Sequence, residues 1–173
     1  RGEATFGFLG EEGSTPIGQR VLATDLDCEE TMTTALYTLS GIARRAPETI
    51  SDDCIEKVGK LLAHQIEPVQ VMASFILAKV KERATPFRMQ LISNAQNSSS
   101  ELTRQLSCQA LAYCTEDHEK VVAGLGRCLK DNDIKTGSDA IYALCRIFRR
   151  EPGLTADDEL FLAVLHFPFD DCD

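Results

Sequence analysis

Cysteine and histidine are the residues of this chain best suited to metal or nucleophilic chemistry, and it holds seven cysteines and three histidines. Cys108, Cys114, His118 and Cys128 are the most crowded soft ligands, and Cys114 and His118 are four apart, so one helix could aim both the same way. Neither a C-x2-C pair nor an H-x3–5-H pair accompanies them, and the spacing does not predict zinc. His64, His118 and His166 fall in three separate segments, and no nucleophile-elbow string surrounds any candidate nucleophile. No Gly-x-x-x-x-Gly-Lys loop is present to cradle a phosphate. Gly124-Leu125-Gly126 lies inside an apolar helical stripe and reads as close helix packing. Asn97-Ser98-Ser99 matches a glycosylation acceptor, but such triplets are common. No catalytic residue, metal or cofactor is expected.

Charge offers a different chemistry. The 173 residues carry a net charge of −9, at a pI of about 4.8, which argues against a general binder of phosphate backbones. Trp is absent and aromatics are 6%, which weakens a stacking platform for bases. The charge is unevenly spread: residues 57–130 hold 10 Lys/Arg against 6 Asp/Glu, and the rest of the chain is strongly acidic. Lys57, Lys60, His64, Arg88, Lys120 and Arg127 are the candidate binding residues of this region, with Asn94 and Lys130 beside them. If they share one face, the row focuses a field on an acidic partner. The last residues, including Asp157, Asp158, Glu159, Asp170, Asp171 and Asp173, have no Lys or Arg among them. They read as a solubilising end, or as a surface for a basic partner.

The elements that would position these residues are helices. Apolar residues recur at helical spacing in eight segments: Met32–Ala43, Cys54–Leu62, Met72–Val80, Phe87–Ala95, Leu102–Tyr113, Val121–Leu129, Ile141–Phe148 and Leu160–Leu165. No segment alternates with period two. Pro68 and Pro86 stand where a first helical turn has a spare N–H. Ser98-x-x-Glu101, Asp53-x-x-Glu56 and Thr155-x-x-Asp158 resemble capping boxes. No apolar run reaches the roughly 18 residues of a membrane span. The odd cysteine count and the placement of several cysteines in apolar stripes predict buried thiols in a reducing, cytoplasmic setting. The chain opens on Arg1, which reads as a boundary or processing site.

The strongest signal is internal repetition. TALYTLSGIARRAPETISDD (34–53) and DAIYALCRIFRREPGLTADD (139–158) match without gaps at 9 of 20 positions, offset by 105 residues. Three steps of about 35 fit between them, with Ala73 and Ala110 as intermediate anchors. Two-helix units of that period stack to bury faces that one pair cannot bury alone.

The strings A-L/I-Y-x-L-x-x-I-x-R-R-x-P at 35–47 and 140–152 resemble the HEAT/armadillo-like repeat family over roughly residues 27–167. Ser74-Phe75 and Leu111-Ala112 keep only the small-plus-apolar part of the pattern. The resemblance implies an all-α, right-handed α-solenoid of about four antiparallel helix pairs, eight helices in all, with second helices lining a concave face. Residues 1–26 are then a Gly-rich arm or cap, with Phe6, Phe8 and Leu9 as an apolar clip, and 168–173 an acidic tail. Arg44-Arg45 and Arg149-Arg150 complement helix dipoles and can bridge to Asp52/Asp53 and Asp157/Asp158. The expected function is non-enzymatic: a scaffold binding another protein through the second-helix face or the acidic end. Two rivals are an inhibitor or immunity-type protein that blocks a basic enzyme, and a HEAT-like glycosylase or bilin-lyase-like protein. Nucleic acid is an unlikely partner on charge, and membrane insertion is not expected.

Overall fold

The structure, a computed structural model, describes residues 16–154 and Leu160. Among them are eight α-helices: α1 Pro16–Asp25, α2 Glu29–Arg45, α3 Asp52–Lys60, α4 Glu67–Val80, α5 Arg88–Asn97, α6 Glu101–Leu111, α7 His118–Cys128 and α8 Ile134–Arg150. Short 3-10 turns at Pro47–Thr49, Leu61–Ala63 and Lys81–Phe87 join some of them. No strand occurs among the described residues.

The helices form two rows. In one, α2, α4, α6 and α8 pack each against the next. In the other, α1 packs on α3 and α5 on α7, while α3 and α5 meet through the neighbouring 3-10 turns. Side chains joining distant parts of the chain respect this stacking, with sequence separations such as 27 residues for Arg104 to Asp131 and 36 for Arg150 to Cys114. Each unit holds its neighbour and not a remote one, as a solenoid requires.

Equivalent helices start at 29, 67, 101 and 134, so the 105-residue offset divides into steps of 38, 34 and 33. The core repeats at those steps. Ala35, Ala73, Ser107 and Ala140 are buried at the seventh helical position. Leu39, Leu77, Leu111 and Leu144 form a fully buried leucine ladder, and Ile42, Val80, Cys114 and Ile147 another apolar row. Ala73 is therefore the anchor expected of it, but Ser107 replaces Ala110 in the third unit. Ala110 lies one turn further along the same helix and is also buried, so the pattern alone fits either.

Helix ends depart from expectation in small ways. Ser51 caps α3 by accepting the Cys54 N–H at 3.3 Å, and Ser100 caps α6 by accepting the Thr103 N–H at 3.4 Å. Both caps sit two residues from the positions expected (Asp53 and Ser98), because several polar residues in each string can play the role. Pro68 is in the first turn of α4 as expected, whereas Pro86 lies inside the 3-10 turn that precedes α5.

Residues 16–25, within the segment read as an arm or cap, form helix α1. Leu22, Ala23 and Leu26 bury against the stack, and Gln19 accepts from the Ser51 N–H at 3.3 Å. Phe6, Phe8, Leu9, the Thr155–Asp158 box, the acidic tail and all of the last predicted stripe except buried, helical Leu160 lie outside the described residues.

Candidate functional site

The six residues expected to bind sit on α3, α5, α7 and adjoining turns, and carboxylates meet four of them, two from outside residues 57–130 and two from within. Lys57 Nζ donates to the Ala23 carbonyl at 2.8 Å and pairs with Asp27 at 2.5 Å, tying α3 to the end of α1. The Asp27 carboxylate raises the Lys57 pKa. Arg88 donates through Nε and Nη2 to Asp117 at 2.9 and 2.6 Å, and lies 3.3 Å from Glu116. That guanidinium holds the Asp117 carboxyl below the usual carboxylate range. Lys120 is 3.6 Å from the same Asp117, and Lys60 pairs with Glu56 along its own helix at 3.0 Å. His64 Nδ1 accepts from the Ile66 N–H at 3.1 Å, closing a turn. Arg127 is exposed. Asn94 is buried and donates to the Leu62 carbonyl at 2.9 Å, a bond between successive units. Segment-level charge counting found the basic excess but not the carboxylates that fold back onto it.

Other arginines also join units. Arg83 donates to Asp52 at 2.5 Å and to the Ile50 carbonyl; it, and not Arg44 or Arg45, occupies the Asp52 carboxylate. Arg104 makes a bidentate pair with Asp131 at 2.7 and 3.0 Å and donates to the Ser98 carbonyl at 2.9 Å. Arg150 donates to the Cys114 carbonyl and lies 3.3 Å from His118 Nε2. Cys114 is thereby part of a buried junction, and burial pushes its thiol up to about 11. Cys108 and Cys128 are also buried, and Cys128 Sγ donates to the Ala95 and Gly124 carbonyls at 3.5 Å. Among the described residues no group of three or more His, Cys, Asp or Glu is arranged to hold a metal ion.

A different cluster lies on the outward face of α2, α4, α6 and α8. Because these helices are in register, residues at equal positions line up across the row. Tyr37, Phe75, Gln109 and Tyr142 occupy the ninth position; Gly41, Lys79, Tyr113 and Arg146 fall at the thirteenth. Tyr37 is 62% and Tyr142 38% exposed. Arg44 of α2 lies over the Phe75 ring of α4 at 5.0 Å, with Lys79 at 5.4 Å from the same ring. Lys81 lies 5.9 Å and Arg146 of α8 4.2 Å from the Tyr113 ring. Phe75 and Tyr113 thus each carry two cations, at the range where the ring quadrupole attracts them. None of the four cations pairs with a carboxylate among the described residues. Lys81 is held at φ 56°, ψ −122°, a conformation that costs a residue with a Cβ of order 1–3 kcal/mol. Sequence reading passed over this cluster because aromatics are few. The signal was the repeated Tyr37/Tyr142 match extended by 38 residues to Phe75.

Against known proteins, no family model matches the chain and no curated protein matches its sequence. Solved structures do match. An engineered protein from the Northeast Structural Genomics Consortium aligns with a TM-score of 0.68 at 20% identity, over 91% of this chain and 84% of that one. A second engineered protein of that consortium gives 0.64 at 22% identity, over 80% of this chain and 42% of its own length. A designed armadillo repeat protein in complex with the peptide (KR)4 gives 0.65 at 18% identity, over 95% of this chain and 74% of that one. The fold is therefore an all-α, armadillo-like repeat solenoid, as the repeated strings imply. Among the described residues no helix is long and apolar enough to cross a membrane.

Proposed function

We propose that this chain is a non-enzymatic scaffold, a right-handed solenoid that binds another protein along the outward face of α2, α4, α6 and α8. The observation that carries this is the row of aromatics across that face, with cations that pair with no carboxylate among the described residues. Rings supply contact area at low entropic cost, and cations supply orientation. The stacking supports the choice of face. A double layer curves toward its more closely packed row, and α2, α4, α6 and α8 pack directly on one another while α3 and α5 meet through turns. The groove then lies on the opposite layer from the basic row read from sequence. The designed armadillo protein that shares the fold holds a peptide, which makes peptide capture a use this architecture permits; fold alone does not fix it.

The test is selection from a displayed random dodecapeptide library, with affinities of enriched peptides measured by calorimetry. Enriched peptides should lose at least tenfold in affinity for a Phe75→Ala/Tyr113→Ala protein and keep it for Lys60→Ala/Arg127→Ala. Absence of enrichment, or the reverse ranking of the two variants, overturns the proposal.

A further inference from the structure

We propose that the partner segment is acidic and extended, docking its carboxylates on the stripe formed by Arg44, Lys79, Lys81 and Arg146. This rests on the scaffold reading above and names the partner's chemistry. In a chain of net charge −9, carboxylates are in surplus. They pair with Lys57, Lys60, Arg83, Arg88, Arg104 and Lys120. Among the described residues none pairs with Arg44, Lys79, Lys81 or Arg146, which lie on three different helices and the turn after α4 and are the cations that stand against aromatic rings there. Glu82, exposed and next to Lys81, makes no ion pair with them. The rings hold the cations without neutralising them, so little side-chain freedom is lost when a carboxylate arrives.

Lys81 adds an independent observation. Glycine would adopt its positive φ without strain, yet the position carries a long cationic side chain that reaches the Tyr113 ring. Strain retained at a cation-bearing position is what a binding role would maintain against stability.

The size of the segment follows from the spacing of the row. Four helices at about 8–10 Å between axes span about 24–30 Å, which an extended chain at about 3.3 Å per residue covers in roughly eight residues.

The probe is a fluorescein-labelled (DE)4 octapeptide, measured by anisotropy beside (KR)4, a neutral (SG)4 and single-stranded dT8. (DE)4 should bind at least tenfold tighter than each of the others. Lys79→Gln/Lys81→Gln should weaken it at least tenfold. Lys81→Gly should weaken it about threefold while raising the thermal midpoint, a combination that a misfolded variant cannot give. Equal or tighter binding of (KR)4 or dT8 overturns the assignment. So does a dimer in sedimentation that Lys79→Gln/Lys81→Gln dissolves, since a second copy would then occupy the face. If library peptides need Phe75 and Tyr113 but are neutral or basic, the scaffold stands and the acidic partner falls. If neither library peptides nor (DE)4 bind, both fall.

Discussion

Ser107→Ala should make this protein more stable. Ser107 stands at the position that is alanine in the other three units, Ala35, Ala73 and Ala140, and it is fully buried. Its Oγ has no hydrogen-bond partner. An unpaired buried hydroxyl costs about 1–3 kcal/mol, and alanine is the better helix former by a few tenths of a kcal/mol. Against this stands the loss of a few dispersion contacts at about 0.1–0.2 kcal/mol each. The net expectation is a gain of about 1–2 kcal/mol. Urea unfolding followed by circular dichroism reads it as a rise in the midpoint of roughly 0.5–1 M at unchanged slope, for a slope of about 2 kcal/mol/M. The reverse change at the neighbouring buried position, Ala110→Ser, should lose a similar amount. A loss of stability in Ser107→Ala would refute the register of the third unit, because it would mean that the hydroxyl is paired and wanted.

The Arg104–Asp131 pair, with side chains 14% and 12% exposed, should cost about 2–3 kcal/mol when Arg104→Met leaves the carboxylate buried without its partner. Pairing with Arg104 lowers the Asp131 pKa, so this contribution is present above the unfolded carboxylate value of about 3.9 and is lost as pH falls through the lowered folded value. The stability gap between wild type and variant, measured by urea melts from pH 7 to pH 2.5, should therefore close at the acid end; a gap that persists there rejects the ion-pair account. Gly59→Ala should destabilise by about 1–3 kcal/mol despite alanine's higher helix propensity, since the added methyl overlaps the Phe87 ring; a raised melting temperature would show that the ring moves aside freely. In a Cys172→Ser background, iodoacetamide should label Cys28 first. Its thiol is exposed, and hydrogen bonds from Thr31 and Glu30 lower its pKa, whereas Cys54, Cys108, Cys114, Cys128 and Cys145 are buried. Mass spectrometry that finds Cys54 or Cys108 alkylated at the same rate in native buffer would contradict that burial.

The two outer copies of the Tyr-and-Arg-Arg string made the repeat legible, because Leu39 and Leu144 or Ile42 and Ile147 must be apolar to bury between rows. The middle units were harder: Ser107 and Cys114 stand where alanine and isoleucine would announce the pattern, and only the helix starts fix their register. Helix α1 was hidden by the glycines around it, while the buried residues described in it are Gln19, Leu22 and Ala23, with Leu26 just past its end. The candidate site was least legible. Lys57 and Arg88 look like free cations in a local charge count, and only folding brings Asp27 and Asp117 onto them from 30 and 29 residues away. Phe75 and Tyr113 read as core residues, since each is partly buried and packs against the core. Their cations come from neighbouring helices that no local pattern links.

The central claim is that the outward face of α2, α4, α6 and α8 is the binding surface. Hydrogen exchange on the protein saturated with an enriched or (DE)4 peptide tests it most directly. Protection should rise in 37–46, 75–83, 109–114 and 142–150 and stay unchanged in 52–64, 88–97 and 118–130. Protection confined to the latter segments would move the site to the Lys57–Arg127 side and contradict the account.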